Sequence, residues 1–215
     1  MNWITDHKIP LGEWMEAFVD WLVGNASGFF DAIAISLEWL ILGMTGVLQF
    51  FPPLAFTAMV AAIAWWLHRS WGLVIFSVVA LLVIANLGYW VEMIETLVLV
   101  LMATFLSIVI GIPIGIVAAH HPRFHAGIRP IMDLMQTIPT FVYLIPTLIL
   151  FGLGVVPGLI STIIFAIAAP IRLTALGISS VPEELLEAGK AFGASKRNLL
   201  LKVELPAAMP SIMAG

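Results

Sequence analysis

From Leu134 to Ile171 the chain carries no Asp, Glu, Lys or Arg, and only Gly152-Leu153-Gly154 and Pro157-Gly158 interrupt the run. An uncharged stretch of about 20 residues crosses the hydrocarbon core of a bilayer as a helix, because a helix satisfies its own backbone polar groups there. The run therefore reads as a hairpin of two spans, turned at its glycines and proline. Trp71–Trp90 is a third uncharged stretch. Leu97–Ala119 is a fourth, ending at His120-His121-Pro122-Arg123, and the shorter Leu54–Leu67 follows Pro52-Pro53 and stops at His68-Arg69. Five spans are thus expected before residue 181. Composition agrees, with 61% hydrophobic and 10% charged residues and a mean hydropathy of +1.09. A soluble domain is about one quarter charged, since its surface faces water. The expected fold class is an all-α membrane protein, with the lipid bilayer as solvent.

The first 52 residues differ. Leu11, Trp14, Met15, Phe18, Val19 and Leu22 fall on one helical face, and Glu13, Glu16 and Asp20 on the other. That pattern predicts an amphipathic helix along an interface. Phe29–Phe51 is long enough to span, but Asp31 and Glu38 oppose burial in lipid; of the spanning and interfacial readings the interfacial one is favoured. Residues 1–50 hold one lysine against six acids, which excludes a basic nucleic-acid arm. The net charge of −4 adds little, and the absence of cysteine excludes disulfides and thiolate metal sites. Trp3, Asp6 and Glu13 stand where a signal peptide has its basic and apolar regions. The expected organisation is N-terminal amphipathic helices over 1–52, accessory spans over 53–96 and a core over 97–215. Pro206–Gly215 reads as the opening turns of another span, so a C-terminal truncation is expected.

Arg69, Arg123, Arg129 and the group Lys190, Lys196, Arg197 and Lys202 lie in alternate connections, which the positive-inside rule makes cytoplasmic. The longest polar segment of the second half, Ser180–Pro206, lies on that side. Glu183 and Glu184 suit the first turn of a helix after Pro182, with Leu185, Ala188, Gly189 and Phe192 along one face. Gly193 supplies a left-handed stop. Ser195 caps a second short helix that Pro206 ends. Physics alone leaves two readings, a solvated loop or a docking elbow.

The residues Glu187-Ala188-Gly189, then Gly193, then Val203-Glu204-Leu205-Pro206 resemble the EAA signature of ABC importer permeases. That signature is Glu-Ala-Ala, three residues, Gly, nine residues, Ile, one residue, Leu-Pro. The spacing matches throughout, with Gly189 for the second Ala and Val203 for Ile. Arg129-Pro130-Ile131-Met132-Asp133, Gln136–Pro146, Phe192–Ser195 and Ile9-Pro10-Leu11 with Trp14 and Asp20-Trp21 are similar to the glycine betaine/proline betaine permeases. The resemblance implies the type I ABC importer permease fold and a bacterial inner-membrane location. It also implies passage of a compatible solute such as glycine betaine or proline betaine. ATP would be hydrolysed with Mg²⁺ in separate cytoplasmic ATPase subunits docking on Glu187, Ala188, Gly189, Gly193, Leu205 and Pro206. An external substrate-binding protein and a second copy of the permease complete the implied assembly. No cofactor, catalytic residue, metal or nucleic acid is expected on this chain. The absence of a GxxxxGK[ST] phosphate loop agrees with ATP turnover elsewhere.

Gln136, Thr137, Thr140, Phe141 and Tyr143 surround Pro139 in an apolar segment. This is either a tolerated kink or a broken helix lining the translocation path, with the rings open to a quaternary ammonium group. Asp133 and Arg172 read as an ion pair between spans or as a gate. His120, His121 and His125 read as interfacial loop residues rather than a metal site, since no carboxylate lies near them in sequence. Rival readings are import of choline, carnitine or an amino acid by the same fold, an ion-gradient transporter and an intramembrane enzyme. The last two lack deep carboxylates after residue 96 and a visible nucleophile–base pair.

Overall fold

The computed structural model describes residues 10–215, and every regular element among them is helical. Trp3, Asp6 and Ile9, used above, lie outside the described residues. Helix α1 runs unbroken over Leu11–Gln49, so the two expected N-terminal segments are one helix. No proline falls between Pro10 and Pro52, and at Gly24 and Gly28 there is open space around the backbone. Nothing therefore stops the helix before the segment preceding Pro52, where the α conformation is disfavoured. It is long and apolar enough to cross a membrane. Ala34, Leu37, Ile41, Met44 and Leu48 recur every three or four residues and pack on the core. Phe30 meets Phe151 edge-on at 5.3 Å between centroids. Asp31 and Glu38 lie off this stripe and are exposed.

Helices α2 (Pro53–His68) and α3 (Trp71–Asn86) form a hairpin. Arg69 turns it in a left-handed conformation, and the Trp65 and Trp71 rings close it at 4.4 Å. Phe56 meets Trp90 edge-on and ties the hairpin to the long helix α4 (Trp90–His120).

The centre of the fold is the packing of α4 on α8 (Ala168–Ser179), which continues α7 (Val155–Ala166). Ala103, Ser107, Gly111 and Gly115 repeat at every fourth position and are buried. Small residues at that spacing let two backbones approach closely in a membrane. A Cβ on Gly115 would stand 2.6 Å from Thr174 Cβ and 2.7 Å from the Ile171 carbonyl oxygen. One on Gly111 would stand 3.0 Å from Pro170 Cγ. Gly177 plays the same part where α8 meets α11 (Leu205–Ile212), with Ser211 Cβ at 2.9 Å from a built Cβ.

The expected span beginning at Leu134 is not one helix. Helix α5 (Pro122–Thr137) bends by 99° into α6 (Thr140–Phe151). Pro139 forces Ile138 into an extended conformation, φ −77° and ψ 130°. Met132 of α5 is buried against Ile167, Ala168 and Ile171. With 12 residues, α6 is about 18 Å long at 1.5 Å per residue, short of the bilayer core. It pairs with α7 across Gly152 and Gly154, where Thr147 and Ser161 share a buried hydrogen bond of 2.9 Å. The following span continues past Ile171 and ends at Ser179, as one 25-residue run from Val155.

Candidate coupling elbow and translocation bend

Helix α9 (Glu183–Ala191) follows the C-terminal end of α8 with Pro182 just ahead of it. Gly193 stops it at φ +74°. Its N–H donates to the Lys190 carbonyl at 2.9 Å, and the Ala194 N–H donates to that of Gly189 at 3.1 Å. These are the two bonds of a Schellman cap, which satisfies the last carbonyls of a helix. Ser195 Oγ accepts from the Asn198 N–H and starts α10 (Lys196–Leu199). The two short helices touch where Gly189 faces Leu199, whose Cδ1 would lie 2.7 Å from a Cβ there. The glycine in place of alanine is thus matched to the leucine packed against it.

Pro206 does not end the second helix. A π-helical turn, Leu200–Glu204, follows α10 directly, and Pro206 sits in the first turn of α11. The Leu205 N–H reaches back to the Leu200 carbonyl. Such widened turns carry a proline within a helix by rearranging the bonds that its ring removes. Leu205 packs with Ile178, Ala208 and Ile212, whereas Pro206 is exposed. Glu187, Ala188 and Gly193 face outward beside Leu185 and Phe192, the last 93% exposed. The elbow therefore presents an apolar strip next to carboxylates, with its inner side fixed to the core.

At the other candidate site, Gln136, Thr137, Thr140 and Phe141 are exposed around the α5–α6 bend. The Tyr143 hydroxyl donates to the Leu134 carbonyl at 3.2 Å, as does Thr137 Oγ1. These bonds and the Ile138 N–H, at 3.0 Å, occupy a carbonyl at the break. Arg172 of α8 donates to Asp133 Oδ1 of α5, so one ion pair joins the two helices near the bend. Both side chains are partly exposed, and such a pair contributes about 1 kcal/mol or less to stability. Reversing either charge alone should lower solute uptake or assembly, and the double swap should recover part of the loss. Independent losses in that cycle would separate the two residues.

Of the three histidines, only His121 lies between helices. His120 is the last residue of α4, and its Nε2 lies 3.0 Å from Glu204 Oε2. His121 Nδ1 bonds the Val117 carbonyl, and His125 lies in α5. A carboxylate does accompany His120, but 84 residues away in sequence. No local pattern reveals that contact. The series Ala103, Ser107, Gly111 and Gly115, by contrast, is visible in the sequence as small residues at every fourth position, a spacing that marks close helix packing.

The family model for "Binding-protein-dependent transport system inner membrane component" matches residues 111–215. That range takes in the C-terminal third of α4 where it packs on α8, the bend and the elbow. The chain is 44% identical over 208 residues to the glycine betaine transport system permease protein of Bacillus subtilis, covering 97% of this chain and 73% of that one. It is 44% identical to the glycine betaine/proline betaine transport system permease protein of Escherichia coli, covering 97% of this chain and 59% of that one. Against the glycine betaine/carnitine transport permease protein of Listeria monocytogenes the identity is 40%, over 96% of this chain and 74% of the other.

Proposed function

We propose, from the premise that this chain belongs to the family of binding-protein-dependent transport system inner membrane components, that it is the permease subunit of an ATP-driven compatible-solute importer. Glycine betaine or proline betaine is the solute this reading favours. The observation that carries it is 44% identity to a glycine betaine permease, running through almost the whole chain. The geometry supports the same division of labour. The elbow's outer strip, Glu187 and Ala188 with Leu185 and Phe192, is the docking face for a cytoplasmic ATPase subunit. Its inner side, through Leu205 and Glu204, is packed into the core. ATP and Mg²⁺ bind in that partner. An external binding protein delivers the solute to a pair of permeases. Gln136, Thr137, Thr140, Phe141 and Tyr143 line the path at the bend, where the exposed Phe141 ring offers a face to a quaternary ammonium group. Asp133 and Arg172 stand at its inner end as a gate.

The test is uptake of labelled glycine betaine by proteoliposomes holding the permease, its ATPase and its binding protein. ATP-dependent uptake is expected, with no ATP turnover by permease free of the ATPase. ATP turnover by the permease alone would overturn the reading, as would uptake that survives without the ATPase and follows an ion gradient. Preference for choline, carnitine or an amino acid would keep the permease and change the solute.

A further inference from the structure

Glu204 is a carboxylate with only 7% of its surface exposed, a placement that needs a partner. It lies in the π-helical turn that joins the elbow to α11. Its Oε2 stands 3.0 Å from Nε2 of His120, the last residue of α4. The other ring nitrogen, Nδ1, is 2.8 Å from the Ile116 carbonyl oxygen. A carbonyl oxygen only accepts, so Nδ1–H donates to Ile116, and Nε2 is left at hydrogen-bond distance from the carboxyl of Glu204, which gives that buried group its partner. His120 and Glu204 line a cavity of about 680 Å³ between α4 and the elbow, and the other charged or titratable groups facing it are His121, Lys190, Lys196 and Arg197. Glu204 is the one acid lining a basic cavity.

We propose that His120 and Glu204 form a pin that makes the elbow and the inner end of α4 one mechanical body. Movement imposed on the elbow by its partner is thereby passed to α4 and, through Gly111 and Gly115, to α8. Both are positioning residues. The adjoining contacts are apolar: Leu200 and Leu205 on one side and Ile112, Ile116 and Ala119 on the other pack on the same cluster of Ile178, Ala208 and Ile212. Apolar surfaces slide, whereas a hydrogen-bonded pair sets one register. The π-helical turn fits this role, because an inserted residue changes which side chain faces the core. It places Glu204 inward, two positions before the exposed Pro206.

The inference rests on the permease reading, and two readouts separate failure of one from failure of the other. The first uses the permease alone. Lys190, Lys196, Arg197 and Lys202 make the elbow a trypsin target, and its cleavage rate reports how firmly it is held. His120→Ala leaves the buried Glu204 carboxyl unpaired and Glu204→Ala removes the inward half of the pair, so each should speed cleavage by about tenfold. The double variant should be no faster than either single one, and His120→Gln, which keeps a donor, should stay close to the parent protein. The second readout is solute carried per ATP hydrolysed in the assembled complex. It should fall in both alanine variants while ATPase binding persists, and recover in His120→Gln. Multiplying effects in the double variant, or faster cleavage with unchanged solute per ATP, would overturn the pin. If an alanine variant does not accumulate, Glu204→Gln replaces it: its amide N–H donates to Nε2 of a neutral imidazole whose Nδ1–H still bonds the Ile116 carbonyl, and it should behave as His120→Gln does. Near-parent behaviour supports the pin, and the full alanine phenotype overturns it. A parent complex that carries no compatible solute would sink the permease reading, and the trypsin experiment would still decide the contact.

Discussion

Gly115→Leu should abolish recovery of folded, monodisperse protein from membranes, while Gly28→Leu should leave it intact. Both glycines lie within helices, so the contrast isolates what surrounds them. At Gly28 a built Cβ has no neighbour within 4 Å. At Gly115 it overlaps Thr174 Cβ and the Ile171 carbonyl oxygen, at 2.6 and 2.7 Å. Thr174 is fully buried and the carbonyl belongs to the backbone of α8, so neither neighbour can step aside without moving the helix. Overpacking by a methyl group or two costs about 1–3 kcal/mol, and a leucine adds four carbons at the tightest point of the α4–α8 interface. Gly115→Ala is the graded case. Its Cβ alone makes both overlaps, and a helix-propensity gain of up to about 1 kcal/mol offsets only part of that, so it should be clearly destabilised but less so than leucine. Gly111→Ala should be milder still, because the obstacle is a proline ring edge at 3.0 Å. Full yield and an unchanged melting temperature in Gly115→Leu would show that the two helices can separate at no cost.

This interface also marks what can be read from the sequence. Two of the five expected spans, α4 and the α7–α8 run, are legible as uncharged runs that form helices of bilayer length, whereas α2 and α3 are shorter apolar helices, the run from Leu134 is bent, and α1 is a third helix of spanning length. The elbow is legible too: Gly193 and Ser195 act on residues next to them in the chain, and capping is a local code. Other features depend on a competition that a local pattern does not resolve. Between Pro10 and Pro52 nothing interrupts the backbone, so α1 continues where the change of polarity suggests two segments. At the bend, Pro139 and Pro146 look alike in sequence, yet only Pro139 breaks the chain while Pro146 stays inside α6. Pro206 has the sequence character of a stop, but the π-helical turn before it carries it into a continuing helix whose Glu204 and Leu205 face the core. The His120–Glu204 contact joins elements that become neighbours only once α4, α8 and α11 have packed.

Gly193→Val should leave the permease inserted and folded, yet separate ATP hydrolysis from transport or prevent the ATPase from docking. The backbone at Gly193 has φ +74°, a region that glycine enters freely and a β-branched residue enters at a cost. No atom lies within 4 Å of a built Cβ, so strain is the whole of the local penalty, about 1–3 kcal/mol. That is small against the insertion of several apolar helices, none of which Gly193 touches. It is large against the Schellman cap, whose two bonds, Gly193 to Lys190 and Ala194 to Gly189, exist only while this residue stays left-handed. Relaxing it to a helical conformation would run α9 on through residue 193. Ser195 and α10 would then point elsewhere, and Gly189 would lose its contact with Leu199. The outer strip of Leu185, Ala188 and Phe192 would still be present, but no longer at a fixed angle to the core. Uptake should therefore fall by about tenfold or more, the factor expected for roughly 1.4 kcal/mol at a reversible interface, with membrane levels within the normal range. Lys202→Gln is the control, since Lys202 is exposed and forms no ion pair among the described residues. If Gly193→Val transports normally while Lys202→Gln fails, the elbow works through its charge and not through the angle between its helices.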